Sequence, residues 1–273
     1  MKGFAKSFLD KMFSISGREK YRPHYEQLMQ SLAELIVIRQ MVEFEWSKPP
    51  EFTYEPSPEG SGKNPELSIE FDKYEIGVEV KCPSLLEHSE DRLRKPFQIP
   101  ARSLAREGLN SILDGEESEN VILPRDNPVK DFLISSNNTR EKRFYGVLPI
   151  VWDDFIFEPI SALISTSSGL FTQRSFARDE DDKPLKFENV NGVVIIRHSH
   201  QFVRASQERP LLDSKRHGLD YGRDGEFPPK AFVPNPYAED VPQEVLDSFQ
   251  AYLPSPEMGA EYQPIDVISW FDT

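Results

Sequence analysis

Cysteine is almost absent from this sequence, since Cys82 is the only one in 273 residues. A single thiol cannot form an internal disulfide, and it cannot supply a cysteine-based zinc site. This cysteine usage fits a reducing compartment, and we expect a cytoplasmic protein.

Long apolar runs are also missing. No stretch reaches the roughly 18 apolar residues that a membrane-spanning helix requires. Residues 1–13 interrupt their apolar side chains with charges, which is untypical of a secretory signal and predicts an amphipathic helix instead. We therefore expect no membrane partner.

Positive charge is scarce, with 32 Lys and Arg against 46 Asp and Glu and a net charge of −14. Proteins that bind nucleic acid usually carry a basic surface, so this balance is unfavourable for such a partner. The acid is uneven, however, because residues 223–273 hold 10 acidic and 2 basic residues. Between Arg92 and Arg106 five basic residues occur without an acid, which indicates either a solvated helix face or a phosphate-binding surface.

The apolar pattern predicts both helices and strands, and hence an α/β (α+β) fold with a mixed central β-sheet flanked by helices. A long helix begins at Pro23, and its apolar stripe leaves Glu34 at the edge. Pro149 favours an edge position or a bulge for the strand that contains it. The other predicted segments are an irregular strand pair within 42–54, helices at 101–113 and 127–143, and strands at 146–152 and 193–202.

Proline divides the chain into two predicted regions. Residues 1–205 are expected to form the α/β domain. Residues 206–273 are rich in proline and acid, and we expect a C-terminal extension that wraps the same domain and is anchored by apolar residues near its end.

The stretch from Pro65 to Lys81 alternates polar and apolar residues and predicts a β-hairpin. A four-residue connection, 72–75, would pair Phe71 with Ile76 and place Glu66 opposite Lys81. The apolar face of the hairpin would be Leu67, Ile69, Phe71, Ile76, Val78 and Val80.

Charged residues gather at the open end of this hairpin, where Glu66, Glu79 and Lys81 lie on the polar face. A hairpin with one face in water shows the same alternation without any chemistry. Two carboxylates beside an ammonium are also what a metal-dependent phosphodiesterase needs, namely oxygen ligands for a hard cation and a positive group near the phosphate.

The spacing Pro65-Glu66, twelve residues, then Glu79-Val80-Lys81 resembles the signature of the restriction-endonuclease-like PD-(D/E)XK nuclease superfamily, with Glu66 in place of the usual aspartate. By order of elements the resemblance covers about residues 23–106, with 146–152 as a further core strand. It implies a restriction-endonuclease-like core and a metal-dependent nuclease.

The resemblance also implies roles for individual residues. Glu66 and Glu79 would bind Mg²⁺ or Mn²⁺ together with the Val80 carbonyl, and Lys81 would orient the attacking water and stabilise the charge that develops. Glu34 would complete the acidic cluster, directly or through water. The candidates for substrate binding are Gln98 and Arg102. The implied partner is nucleic acid, DNA rather than RNA, in the setting of a prokaryotic defence or repair complex, with a protein partner or homo-oligomer as further candidates.

Two other interpretations stay open. The charge of −14 and the acidic tail suit a catalytically inactive nuclease-like scaffold that acts as an acidic protein-binding or regulatory subunit. His198 and His200 share a face of the predicted strand, and exposed histidines at a strand end are favoured over metal ligands. Asp153 and Asp154 are expected in a turn.

Overall fold

The computed structural model describes residues 4–15, 22–56, 65–84, 101–112, 123, 125–138 and 145–267. Within these ranges seven strands form one mixed sheet whose strand order follows the order along the chain. The strands are β1 Glu51–Tyr54, β2 Leu67–Phe71, β3 Tyr74–Val78, β4 Tyr145–Trp152, β5 Gly192–Arg197, β6 Lys230–Pro234 and β7 Ala251–Tyr252. The helices are α1 Phe4–Ile15, α2 Arg22–Glu43, α3 Ser103–Ile112, α4 Asp126–Asn138, α5 Phe157–Ile164, α6 Ser199–Ser206 and α7 Gln243–Phe249.

The prediction of a mixed sheet flanked by helices is confirmed. Strands β1, β2 and β3 form an antiparallel meander, and β3, β4 and β5 run parallel to one another. Strand β6 is antiparallel to β5, and β7 is parallel to β6. No helix in the described part of the chain is long and apolar enough to cross a membrane.

The predicted hairpin forms, but its predicted register is wrong. Phe71 pairs with Tyr74 instead of Ile76, so only Asp72 and Lys73 lie in the turn. Asp72 adopts a φ of +52°, which short polar residues tolerate in tight turns. The slip is two residues, and side chains on a strand alternate with a period of two, so every side chain keeps its predicted face.

The hydrophobic core lies on both faces of the sheet. The apolar face of the hairpin packs under α2, which contributes buried side chains including Ala33, Ile36, Val37 and Met41. The second cluster packs α4 and α5 against β4, β5 and β6, and Trp152 is among its fully buried residues. The central strands are therefore buried on both faces of the sheet, which explains why the sequences of β4 and β5 are continuous apolar runs.

Strand β4 lies in the middle of the sheet and pairs with β5 without a break from Val147 to Trp152, so the prediction of an edge position or a bulge at Pro149 was wrong. Its neighbours are β3 and β5, and Pro149 is paired with Val194 of β5. Proline cannot donate a hydrogen bond to the ladder at this position, but its carbonyl still accepts one from the Lys81 amide, at 2.9 Å.

The C-terminal region contributes two strands to the same sheet. Strands β6 and β7 both lie within residues 206–273, and α7 packs near α2. The sequence pattern missed β6 because its short apolar run, Ala231 to Val233, stands among prolines. The C-terminal region is thus partly built into the sheet, and its division from residues 1–205 stays a prediction.

A buried ion pair ties the end of the described chain to the helical layer. Arg102, just before α3, is bound to Asp126 at the start of α4, and neither residue has appreciable exposure. The Arg102 backbone N–H donates to the carbonyl of Asp266 at 2.7 Å, and its side chain donates to the carbonyl of Ile265 at 3.3 Å. The pair therefore connects three separate segments.

We expect Arg102→Ala to lower the free energy of unfolding by about 3–5 kcal/mol, because it leaves the Asp126 carboxylate buried without its partner. Urea denaturation measures this loss, and Arg106→Ala, which changes an exposed arginine in α3, is the matched control with a change within about 0.5 kcal/mol. The double variant Arg102→Met, Asp126→Leu should recover most of the loss. Equal effects of Arg102→Ala and Arg106→Ala would contradict the assignment.

Candidate functional site

Three elements bring the predicted acidic residues to the open end of the hairpin. Glu66 directly precedes β2, Glu79 and Lys81 follow β3, and Glu34 lies on α2. The segment after β3 continues along β4, because the amide of Glu79 donates to the carbonyl of Val147 at 3.2 Å and that of Val151 donates to the carbonyl of Lys81 at 2.8 Å. This pairing holds Glu79 and Lys81 on one face and Val80 on the other.

The Lys81 ammonium joins the two hairpin carboxylates. Its Nζ lies 2.7 Å from Oε1 of Glu79 and 3.6 Å from Oε1 of Glu66. The second oxygen of Glu66 accepts a hydrogen bond from the Val80 amide at 2.9 Å, and Ser135 of α4 contacts Glu79 at 3.4 Å. The structure therefore brings together Glu66, Glu79 and Lys81, as the sequence predicts.

Glu34 reaches this cluster through a residue that sequence reasoning missed. The side-chain nitrogen of Gln30 donates both to Glu34 at 3.0 Å and to the Val80 carbonyl at 2.9 Å, and the Gln30 oxygen accepts from the Cys82 amide at 2.8 Å. Gln30 stands four residues before Glu34, a spacing that places both on one helix face and that would have revealed the pair.

The other oxygen of Glu34 is bound by Lys11 of α1, at 2.8 Å. The Glu34 side chain is 5% exposed and that of Lys11 is 39% exposed, so the ammonium lies at the solvent side of the contact. Nothing in the sequence spacing relates these two residues, since 23 positions and a helix break separate them.

Burial, helped by the neighbouring carboxylates of Glu79 and Glu34, raises the pKa of Glu66 to about 7 against the opposing effect of Lys81. Burial alone would lower the pKa of Lys81, but Glu66 and Glu79 outweigh it and the pKa is raised. The lysine therefore keeps its charge at neutral pH, which suits an electrostatic role.

The oxygen atoms of this cluster, from carboxylates and the Val80 carbonyl, are of the type that hard divalent cations prefer as ligands. Among the described residues no group of three or more His, Cys, Asp or Glu side chains is arranged to hold a metal ion. Glu66 and Glu79 nevertheless contact the same ammonium, and burial, with a smaller contribution from the neighbouring carboxylates, raises the pKa of Glu66. Glu66, Glu79 and the Val80 carbonyl are the groups that would hold such an ion, with Glu34 linked to them by Gln30.

The two residues predicted to bind substrate are not part of this cluster. Gln98 lies outside the described residues. Arg102 has no exposed surface and is held by Asp126, so the structure gives it a stabilising position instead of one that faces a substrate.

The histidine prediction needs correction. Strand β5 ends at Arg197, and at the start of α6 His198 is buried and His200 is half-buried, instead of both being exposed on a strand. His198 bonds to the carbonyl of Gly218 at 2.7 Å, and burial lowers its pKa to about 3. Asp154 and Asp213, which no sequence spacing connects to His200, lie 3.4 and 3.8 Å from its two ring nitrogens.

Comparisons of the chain with protein-family models, with curated proteins and with solved structures found no match. Function is therefore inferred from the geometry of the side chains described above.

The raised pKa of Glu66 predicts a pH-dependent stability difference. Because the folded-state pKa, about 7, lies above the ordinary value of 4.5, the folded state loses stability as pH rises from about 4.5 to about 7. Glu66→Gln keeps an uncharged side chain of similar shape, so without metal ions it should be roughly 1–3 kcal/mol more stable than the wild type at pH 8 and nearly equal to it at pH 4.5.

Urea denaturation at the two pH values in EDTA measures this difference. Glu70→Gln, which changes an exposed carboxylate of the same hairpin, is the control and should show no gain at pH 8. An equal effect of Glu66→Gln at both pH values would contradict the electrostatic explanation.

Proposed function

We propose that this chain is a divalent-metal-dependent nuclease that hydrolyses phosphodiester bonds, in DNA rather than RNA. The observation that carries the proposal is the convergence of Glu66 and Glu79 on the Lys81 ammonium at the end of two adjacent strands. A structural ion pair would need one carboxylate, whereas this lysine contacts two, the buried Glu79 and the half-buried Glu66. A third carboxylate, Glu34, is linked to the cluster by Gln30.

The order of elements supports the same proposal. The long helix α2 precedes the hairpin, helices α3 and α4 follow it, and β4 then joins β3 in parallel. This is the order on which the resemblance to restriction-endonuclease-like nucleases depends.

The proposed chemistry assigns each group a task. Mg²⁺ or Mn²⁺, when bound, would polarise the phosphate and lower the pKa of the attacking water. Lys81 places a fixed positive charge where negative charge develops on the phosphate, and the Val80 amide fixes one oxygen of Glu66. Gln30 fixes the Val80 carbonyl and the Glu34 side chain with one amide group, so four groups of the cluster are positioned before any ligand binds.

The net charge of −14 opposes contact with a polyanion, but the cluster carries its own cations. Lys11 and Lys81 both lie at the carboxylates, and Lys11 is partly exposed. Assembly with a basic partner would supply further affinity for nucleic acid, which suits a nuclease that works within a larger defence or repair complex.

We expect Lys81→Met to reduce the rate of Mg²⁺-dependent cleavage at least about a hundredfold, because the apolar stem remains while the charge near the phosphate is lost. Nicking of supercoiled plasmid and degradation of single-stranded DNA and RNA measure the effect and the substrate preference. Lys73→Met, in the exposed turn at the opposite end of the hairpin, is the matched control. Undiminished cleavage by Lys81→Met would refute the proposed role.

Metal binding gives a test that does not depend on turnover. Calorimetric titration with Mn²⁺ should show binding to the wild type and at least about a tenfold weaker affinity for Glu79→Gln, because a neutral amide is a poorer ligand for a hard cation than a carboxylate. Glu70→Gln, on the same hairpin but exposed, should bind Mn²⁺ as the wild type does. Equal affinities of all three proteins would place the metal elsewhere.

One observation favours a second candidate, an inactive nuclease-like scaffold that binds a basic protein partner. Each carboxylate of the cluster already has a positive or amide donor from Lys11, Gln30 or Lys81. The same titration separates the two functions, because absent affinity for Mg²⁺ and Mn²⁺ together with tight binding to a basic protein would support the scaffold.

A further inference from the structure

A cavity of about 320 Å³ opens at the carboxyl ends of the three parallel strands, and its lining includes Cys82, the residue after Lys81 of the carboxylate cluster. Residues 82–84 follow β3, residues 153–155 follow β4, and His200 follows β5, and all of them line it. In open sheets with parallel strands this edge is where ligands bind. The cavity also has a volume typical of small-molecule sites.

The walls of the cavity are mainly apolar and aromatic. Tyr25 and Met29 of α2 lie on one side, and Phe155 and Val203 also contribute. Flat aromatic rings and aliphatic side chains of this kind hold a planar ring by stacking.

One polar side chain in the wall has no hydrogen-bond partner of its own. The His200 side chain is only 10% exposed, yet neither ring nitrogen makes a hydrogen bond within the described residues. Asp154 and Asp213 lie at 3.4 and 3.8 Å, too far or too poorly aligned for one, and Asp154 is held by Arg197 at 2.9 Å. Buried polar groups are nearly always paired, so His200 is a group for which a ligand would supply the partner.

The electrostatic surroundings of His200 favour its neutral form. Burial and the nearby Arg197 lower its pKa, and the carboxylates of Asp154, Asp213 and Asp153 oppose this effect without reversing it. A neutral imidazole has one donor and one acceptor nitrogen, which matches the mixed donors and acceptors on the edge of a nucleobase.

We propose that this cavity binds the base of an unpaired nucleotide of the substrate strand, and that it prefers a base with an exocyclic amino group. The inference rests on the proposed nuclease function, and it adds that the substrate must offer an unpaired base. The preference follows from the carboxylates of Asp153 and Asp154 in the lining, because carboxylates accept hydrogen bonds from amino groups and repel the carbonyl oxygens of thymine.

The position of the cavity connects the base to the cleavage site. Cys82 lines the cavity and directly follows Lys81, so the two sites are neighbours at the end of one strand. Arg204 and Arg209 also line the cavity and supply positive charge for phosphate groups. A base held in the cavity would thus fix which phosphodiester approaches Lys81.

The test compares three labelled single-stranded probes of about 12 nucleotides, made of deoxycytidine, deoxythymidine or stable abasic sites. Fluorescence anisotropy measures their binding, with Ca²⁺ in place of Mg²⁺ so that affinity is read without turnover. The wild type should bind the deoxycytidine probe about tenfold more tightly than the abasic probe, with the deoxythymidine probe between them.

Two variants test the cavity, one by adding side-chain volume to it and one by removing a side chain from it. Val203→Trp fills it, and His200→Ala removes the imidazole, so either remains informative if the other fails to fold. Both should reduce binding of deoxycytidine to the level of the abasic probe and leave binding of the abasic probe within about twofold. His217→Ala changes an exposed histidine outside this cavity and should alter none of the three affinities.

Unchanged discrimination in both variants, or a wild type that does not distinguish the probes, would overturn the inference. If free deoxycytidine monophosphate displaces the probe at concentrations below the Kd of the probe, the ligand of the cavity is a free nucleotide. The assignment of the cavity to a base within a nucleic-acid strand would then be overturned. If discrimination fails while Lys81-dependent cleavage persists, only the cavity assignment fails. If discrimination holds without any metal-dependent cleavage, the nuclease proposal fails and the cavity assignment stands.

Discussion

The parallel pairing of the segment after β3 with β4 is the constraint on which the candidate site depends. Backbone hydrogen bonds join Glu79 to Val147, Lys81 to Pro149 and Val151 to Lys81. Because side chains alternate along an extended segment, this ladder directs Glu79 and Lys81 to one face while Val80 enters the core. Without it the hairpin would still form, but the end of β3 would be free to take other positions.

This pairing brings carboxylate groups close to one another, and neighbouring ammonium groups and an amide reduce their mutual repulsion. Three carboxylates, Glu34, Glu66 and Glu79, lie close together with two ammonium groups and one amide. Burial is the main cause that raises the pKa of Glu66 to about 7, and the Glu79 and Glu34 carboxylates contribute to the rise. Perturbed groups of this kind are frequent in sites that bind cations or perform catalysis, and they also occur in structural ion-pair networks.

The same edge of the sheet carries two different environments. On one side the cluster is charged, and on the other the cavity is mostly apolar and contains the His200 imidazole, which makes no hydrogen bond to the residues that the structure describes. Their adjacency arises because β3, β4 and β5 are parallel, so the residues that follow them meet at one edge. An antiparallel arrangement would have placed the loops after β3 and β4 at opposite ends.

The sequence by itself determined the hairpin, the faces of its strands and the convergence of Glu66, Glu79 and Lys81, because a period of two assigns a face whatever the register. It could not supply the register, since that depended on whether two or four residues form the turn. Tertiary structure alone decided that Gln30 and Lys11 bind Glu34, that Arg102 is buried against Asp126, and that Asp213 approaches His200. Each of these contacts joins segments whose relative placement depends on packing around the sheet, which local sequence patterns do not encode.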